Sequence, residues 1–214
     1  MLTGSIPSEL GLLVSLKELS IWSNMTTGSI PSEFGFLLRL ALLDLDAHQL
    51  SGVIPSQMGS LLNMTTLSFS SNRLVGRIPS EMGLLARIEK IVIDQNKLTG
   101  GVPSELCSLE ALTLLSISPN QLRGHLPCLK GQGWKALTFL GFDANDLSGA
   151  IPTEIGLLTS LSKISLWDND LSGTMPTEIG LMSALEYFSL DANGITGTIP
   201  MQFGSLQKVT TLSV

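Results

Sequence analysis

Aspartate and tryptophan side chains recur along this chain at a spacing of 24 residues, with one step of 25. The recurring slot holds, in chain order, Trp22, Asp46, Ser70, Asp94, Ser118, Asp143, Trp167 and Asp191. Carboxylates accept hydrogen bonds from cationic groups and from hydroxyls, and large aromatic side chains anchor bound partners. The spacing therefore raises the question whether the fold brings these residues together on one surface.

The same period organises the whole 214-residue chain. Nine of the ten prolines follow an aliphatic residue or methionine at this period, and each has a glycine three residues before it. The unit is L-x-x-L-x-L-x-x-N-x-L-x-G-x-I-P-x-x-L-G-x-L-x-x, and self-similarity at such a period is typical of solenoids. We predict a single solenoid over residues 1–214. A partial repeat (1–15) precedes eight full units, which we call coils 1–8 (16–39, 40–63, 64–87, 88–111, 112–136, 137–160, 161–184 and 185–208), and a partial repeat (209–214) follows them.

The pattern within one unit predicts its local structure. The segment x-L-x-L-x alternates with a period of two, which indicates a short strand with one buried face, and stacked copies predict a parallel sheet. Aliphatic or aromatic residues at positions 1, 4, 6, 11, 15, 19 and 22 are expected to point inward. Asparagine at position 9 is expected to hydrogen-bond turn backbone, with His48 as a buried replacement in coil 2. We expect the glycines at positions 13 and 20 to adopt turn conformations closed to other residues.

These motifs resemble the leucine-rich repeat, and the L-x-G-x-I-P segment resembles its plant-specific subclass. Similar repeats occur in ectodomains of plant receptor-like kinases and receptor-like proteins, in polygalacturonase inhibitors and in diatom-type leucine-rich-repeat proteins. The resemblance implies an α/β solenoid, a right-handed horseshoe with a parallel sheet on the concave face and short 3-10 or turn segments on the convex face. Neither end carries the cysteine pairs of secreted relatives' caps, so we expect a fragment lacking both caps.

Strand positions 3, 5, 7 and 8 are predicted to face outward on the concave sheet, and these positions carry our candidate site. Adjacent strands lie about 4.8 Å apart, so the column is expected to form a continuous recognition strip. A solvated sheet face also needs polar residues, which is the alternative explanation. The candidate ligand-binding residues are Trp22, Asp44, Asp46, Asp94, Phe139, Asp143, Trp167, Asp168, Tyr187 and Asp191.

Composition and motifs exclude several classes of function. The formal net charge of −6 argues against a nucleic-acid partner. No apolar run reaches the length of a membrane span, and no signal peptide is visible. The two histidines, His48 and His125, lie in no nucleophile or metal motif. We therefore predict a non-enzyme without cofactor or metal.

Two covalent modifications are suggested by the sequence. Cys107 and Cys128 fall on neighbouring coils, where they either form a disulfide or remain two buried free thiols. Two N-x-T sequons begin at Asn24 and Asn63. Asn24 occupies the inward position 9, whereas Asn63 lies at a coil corner, so Asn63 is the predicted glycosylation site. Thr26 replaces the leucine of position 11, which we expect to forfeit roughly 1–3 kcal/mol of burial.

We predict a recognition module at the cell surface or outside the cell that binds a protein, peptide or cell-wall polysaccharide. It would be the ectodomain of a receptor-like protein, which a full-length chain could anchor in a membrane, or a secreted binder. The first alternative is a structural or adhesive surface protein. The second is an ice-binding solenoid, suggested by Thr and Ser at positions 12 and 14 but interrupted by residues such as Arg77 and Arg123.

Overall fold

The computed structural model describes residues 1–127 and 133–214, and it contains the predicted stack of coils. Each coil contributes one three-residue strand, because the alternating x-L-x-L-x segment buries its leucines and exposes the residues between them. These strands, together with one from the last partial repeat, run parallel in a nine-stranded sheet, which we call the main sheet. Its strands are Glu18–Ser20, Leu42–Asp44, Thr66–Ser68, Lys90–Val92, Leu114–Ser116, Phe139–Gly141, Lys163–Ser165, Tyr187–Ser189 and Thr211–Ser213.

A second parallel sheet follows positions 10 to 14 along the coils. Its six-stranded part comprises Val75–Gly76, Lys97–Gly100, Gln121–Gly124, Asp146–Ala150, Asp170–Thr174 and Gly194–Thr196, and the strands Thr3–Ser5 and Met25–Thr27 pair separately. Hydroxyls at position 12 reinforce it: Thr99 and Thr196 donate to the glycine carbonyls of the preceding coil, at 3.3 and 3.2 Å. The small polar residues of this stripe therefore serve to connect neighbouring coils.

Short 3-10 helices form the opposite side of the solenoid. Each follows a proline of the Ile-Pro slot, whose φ between −61° and −74° starts the turn. They span Ser8–Leu12, Ser32–Phe36, Ser56–Ser60, Ser80–Leu84, Ser104–Ser108, Thr153–Leu157, Thr177–Leu181 and Met201–Ser205. Between this layer and the two sheets lies a continuous core, in which nearly all predicted inward positions of coils 2–7 are buried. The predicted solenoid fold is confirmed.

The asparagine ladder is present and joins successive coils. In coil 3, the Asn72 amide nitrogen donates to the carbonyl of Leu45 in the preceding coil at 2.8 Å, and its Oδ1 accepts from the Leu50 amide at 3.0 Å. The same two bonds recur at Asn96, Asn120, Asn145, Asn169 and Asn193. Each ladder residue thus satisfies backbone groups that the turn leaves without a partner inside the solenoid.

The two glycine positions have different physical reasons, and the sequence-based explanation was wrong for one of them. Glycines at position 13 have φ between 78° and 92°, which matches the expected turn conformation. Glycines at position 20 do not adopt positive φ. A Cβ on Gly35 would lie 2.7 Å from the Cβ of Gln57 and 2.9 Å from its carbonyl oxygen in the next coil. Position 20 therefore requires glycine because neighbouring backbones approach closely.

Thr26 is compensated, which corrects the expectation that its replacement of leucine only loses burial. Its side chain is 5% exposed, and its Oγ1 lies 2.9 Å from Nδ1 of His48, which is 6% exposed. The two departures from the repeat pattern, threonine at position 11 and histidine at position 9 of the next coil, are therefore direct partners. His48 Nε2 is buried without a hydrogen-bond partner.

Candidate ligand-binding surface

The main sheet places positions 3, 5 and 7 of every coil on its outer face, as the alternation predicts. Strand pairing keeps equal positions in register, so each position forms a column across the coils. Position 7 carries the aspartates and tryptophans that recur at the 24-residue period. The ten predicted residues consequently share one face, with Asp168 in the exposed position 8 at its margin.

Three carboxylates of this column have a common environment. Asp94 accepts hydrogen bonds from the Ser116 hydroxyl at 3.0 Å and from the Ser118 amide at 2.7 Å, both in the next coil. Asp46 accepts from the hydroxyl of Ser68, at 2.8 Å, and from the amide of Ser70. Each carboxylate is therefore fixed by hydrogen bonds from its neighbouring coil.

The third carboxylate, Asp143, accepts from the amide of Trp167 at 3.1 Å and from the side chain of Ser165. Asp46, Asp94 and Asp143 occur in coils 2, 4 and 6, and their serine donors occur in coils 3, 5 and 7. The surface therefore repeats every two coils. Sequence reasoning noted the aspartates but missed serines 68, 116 and 165, which an explicit comparison of units 48 or 49 residues apart would have identified.

Partial burial raises the pKa of all three aspartates above the ordinary value. For Asp94, desolvation is the main cause, and the charges of Asp46 and Asp143 act in the same direction, while the hydrogen bonds from Ser118 and Ser116 oppose them. Desolvation likewise raises the pKa of Asp46 and of Asp143. The charges of Asp46 and Asp143 therefore repel that of Asp94 along the column.

Aromatic residues complete the face at both ends of this carboxylate column. Trp22 is 63% exposed and Trp167 is 43% exposed, so both present large apolar surfaces to solvent. Phe139 is half-buried because its ring lies over Gly141, where a Cβ would approach the ring's Cε1 at 2.9 Å. Glycine at position 5 of coil 6 thus makes room for the phenylalanine at position 3.

The remaining predicted residues are less tightly organised. Asp44 accepts from the Ser20 hydroxyl at 3.3 Å and from the Asp46 amide at 3.1 Å. Asp191 accepts from Ser189 in its own coil at 3.4 Å. Tyr187 is half-buried at position 3. Its partner in the strand register is Lys163, an exposed cation that also pairs with Phe139 on its other side.

The other predicted features are placed as follows. Asn63 is exposed, its amide nitrogen donating to the Leu38 carbonyl at 2.9 Å. Asn24 is half-buried and its amide nitrogen donates to the carbonyls of Ile21 and Trp22. Cys107 is disulfide-bonded. Cys128 lies outside the described residues, so the pairing of the two cysteines stays a prediction.

The described residues show no other centre of chemistry. Among them, no group of histidine, cysteine and acidic side chains could hold a metal ion, and no helix is long and apolar enough to cross a membrane. His48 is buried in the interior. His125 lies on the second sheet, with Nδ1 3.1 Å from the carbonyl of Ser148.

Comparison with known proteins places this geometry in context. The family model described as Leucine Rich Repeat matches residues 15–37, 63–85 and 184–206. The plant peptide hormone receptor RGFR1, solved in complex with RGF2, is 36% identical with a TM-score of 0.91, and the match covers 96% of this chain and 33% of that one. The Arabidopsis receptor kinase HAESA, solved with the peptide hormone IDA and the co-receptor SERK1, is 30% identical with a TM-score of 0.93, covering 98% and 35%.

A plant ice-binding protein is also similar, with 33% identity and a TM-score of 0.83, the match covering 94% of this chain and 64% of that one. No match was found among the curated proteins. The chain spans about a third of the two receptor structures and just under two thirds of the ice-binding protein.

Proposed function

Because this chain is a leucine-rich-repeat protein of the plant type, we propose that it is a recognition module whose main sheet binds an extended, positively charged peptide or protein segment. The observation that carries the proposal is the column of Asp46, Asp94 and Asp143. These carboxylates recur every second coil, are fixed by their neighbours and have raised pKa values. The positive charge of a cationic ligand would offset both their mutual repulsion and the cost of their partial desolvation.

The spacing of the column supports an extended ligand. Two coils correspond to about 9.6 Å, since strands of a sheet lie about 4.8 Å apart. A polyproline-type chain rises about 3.1 Å per residue and completes a turn in three residues, so every third side chain recurs on one face after about 9.3 Å. Arginine or lysine at every third residue would therefore meet successive aspartates, and Trp167 would contact the ligand where it extends beyond Asp143.

The similar receptor structures agree with a peptide or protein ligand, because RGFR1 and HAESA were each solved with a peptide. By the same analogy we propose that the chain acts outside the cell as part of a receptor-like or secreted protein. We assign it no catalytic role, since neither histidine lies in the carboxylate column.

Direct binding measurements test the proposal. The probe is a fluorescently labelled peptide of repeated Arg-Pro-Pro triplets, and the comparison peptide has the same composition with its arginines contiguous. We expect fluorescence anisotropy to report tighter binding of the triplet peptide. The double variant Asp94→Asn with Asp143→Asn should weaken it by about tenfold, that is about 1.4 kcal/mol.

A matched control uses Asp170→Asn, which removes an exposed carboxylate at position 10, outside the column. It should leave affinity for the triplet peptide unchanged. Equal losses in the control and the double variant, or equal binding of both peptides, would contradict the proposal. An oligogalacturonide probe serves for the polysaccharide alternative, since binding that depends on the column but not on positive charge would favour sugar recognition.

The similarity to a plant ice-binding protein supports a second candidate function on the second sheet. Several position-12 hydroxyls of that stripe already donate to carbonyls of the preceding coil, and Arg77 and Arg123 interrupt it with exposed charges. We therefore rank ice binding below peptide recognition. Thermal hysteresis measured on the purified chain decides the matter, and it should be absent.

A further inference from the structure

An exposed apolar patch lies on the helical side of the solenoid, remote from the main sheet. We call it the back patch. Its side chains come from positions 21 and 23 of the first partial repeat and of coils 1–3, except where Ser60 and Ala86 occupy these positions, and they are between 57% and 75% exposed. The residues of the back patch are Leu12, Val14, Phe36, Leu38, Leu62 and Leu84.

The exposed apolar area of the back patch is larger than expected from apolar residues scattered singly over a surface. Each side chain offers roughly 100 Å² of apolar surface, so the six together offer about 600 Å², at the upper end of the largest patches on monomeric proteins. Together with its polar margins it approaches the roughly 800 Å² that each partner buries in a standard protein interface. The predicted inward positions 19 and 22 lie beside it, so the core does not require leucine or phenylalanine at 21 and 23.

The two margins of the back patch carry opposite charges in coils 1 and 3. Position 18 of each coil lies at one margin of the patch, and position 24 lies at the other. In coil 1 these margins are Glu33 and Arg39, and in coil 3 they are Glu81 and Arg87. In coil 2 both are neutral, Gln57 and Asn63. Coils 1 and 3 therefore have an acid–base pair of margins and coil 2 has a neutral pair, while the first partial repeat has Glu9 and Ser15 in these positions.

These marginal charges lack ionic partners within the described part of the chain. The salt bridge recorded over residues 1–127 and 133–214 is Arg123 with Asp146, on the second sheet. Glu33 accepts only the hydroxyl of the adjacent Ser32, at 3.2 Å. Arg87 donates to the neutral Asn63 at 3.0 Å.

We propose that the back patch is a self-association surface, and that its partner is a second copy of this chain related by a two-fold axis parallel to the solenoid axis. Such a rotation turns one patch to face the other, keeps equal coils opposite each other and exchanges the two margins. Glu33 of one copy then faces Arg39 of the other, Glu81 faces Arg87, and the neutral margins face each other. An axis across the solenoid would instead place acidic margin against acidic margin.

Self-complementary contacts of this kind are the usual way in which soluble chains form dimers. The surface is separate from the carboxylate column of the main sheet, so the two proposals can fail independently. Asn63 lies at the margin of the back patch, in its central coil. A glycan there would obstruct the contact, so the unglycosylated chain from a bacterial host is the form to be tested.

Sedimentation velocity over a concentration series tests self-association. We expect a monomer–dimer equilibrium that Phe36→Ser with Leu38→Ser weakens at least tenfold. The matched control is Leu181→Ser, which changes an equally exposed position-21 residue of coil 7 and should leave the equilibrium unchanged. Circular dichroism verifies that every variant is folded. A chain that stays monomeric at all concentrations overturns the proposal, as does a loss as large in Leu181→Ser.

Charge exchange tests the orientation. Glu33→Arg and Arg39→Glu, each alone, place like charges opposite each other and should weaken the dimer. The combination of both restores opposite charges and should recover it. With an axis across the solenoid, like charges would already face each other in the natural chain and neither single change would weaken the dimer. Single variants that do not weaken it, or a double variant that fails to recover, would overturn the proposed arrangement. Asp94→Asn with Asp143→Asn should dimerise normally, which separates this surface from ligand binding.

Discussion

Thr26 and His48 both depart from the repeat pattern, and their contact leads to a quantitative prediction about how coils 1 and 2 are joined. In other coils the corresponding residues are leucine and asparagine, and the asparagine accepts from a backbone amide of the preceding coil. Here a small polar residue faces a larger ring, with a 2.9 Å contact between Oγ1 and Nδ1. We expect each single reversion to be destabilising and the double reversion to be tolerated.

The magnitudes follow from packing and from hydrogen bonding. Thr26→Leu adds volume beside the retained ring and removes the partner of Nδ1, which together cost about 2–4 kcal/mol. His48→Asn leaves space next to Thr26 and removes the partner of its hydroxyl, at a cost of about 1–3 kcal/mol. The double variant restores the regular pair and eliminates the unpartnered Nε2 of His48. Its stability should equal or exceed that of the natural chain, giving a coupling energy of at least about 3 kcal/mol in magnitude.

Urea unfolding monitored by circular dichroism measures the four free energies of this cycle. Hydrogen exchange of peptides from residues 16–63 shows whether the effect is local, as expected when coils contact only their neighbours. The control is Leu74→Thr, which places threonine in the same slot opposite Asn96 instead of a histidine, and it should cost about 2–3 kcal/mol. Single-variant effects that simply add up in the double variant would refute the proposed partnership.

Three further predictions concern the glycines, the carboxylates and the sequons. Gly35→Ala should destabilise the fold by about 1–3 kcal/mol, because the added methyl group would contact Gln57. The control is Gly204→Ala, at the same position of coil 8, where an added Cβ would have no atom within 4 Å and the free energy of unfolding in urea should not change. Equal effects of the two changes would contradict the close-packing explanation. The pKa of Asp94 is raised in the folded state, so ionisation of this carboxyl group opposes folding. Its contribution to stability should therefore improve as pH falls through that pKa. For the same reason Asp94→Asn should raise the Tm at pH 7, and a lower Tm would contradict this sign. Protonation removes the charges that the peptide would meet, so affinity for the Arg-Pro-Pro peptide should decrease as pH falls through the raised pKa values. An affinity that does not change as these carboxyl groups become protonated would exclude them as the binding groups. When the chain is produced in a secretory host, mass spectrometry should find the glycan on Asn63 and not on Asn24. Asn63→Gln should then abolish the glycan. If Asn24→Gln abolishes it instead, the assignment is wrong.

The fold followed from the sequence because its information is repeated in every coil. The alternating strand segment, the glycine at position 13 and the asparagine ladder each have one physical explanation. The first two are present nine times, and the ladder asparagine is present seven times with His48 as its one replacement. The positions of the ten candidate residues, from Trp22 to Asp191, on the outer side of the main sheet could be predicted for the same reason. Their role in binding is still a prediction, because periodicity determines where a side chain points and not what it contacts.

What the sequence did not reveal depends on contacts between coils. Thr26 looked like a defect because its partner His48 lies 22 residues away and was interpreted separately. Position 20 was explained by backbone conformation because the approach of the next coil cannot be read within one unit. The serine donors to the aspartates were overlooked because position 5 was read along one column without comparison with position 7 of the preceding coil.

The two-coil alternation of aspartates and serine donors has a consequence for how such an array can change in length. Deleting coil 5 would bring coil 4 against coil 6, so that Asp94 would face Gly141 instead of a serine hydroxyl and would lie directly beside Asp143. Removing coils 4 and 5 together would preserve the alternation, since coil 3 would then precede coil 6. Variation by recombination between units is therefore expected to proceed in steps of two coils, so that the inherited unit of this surface is a pair of repeats of about 48 residues.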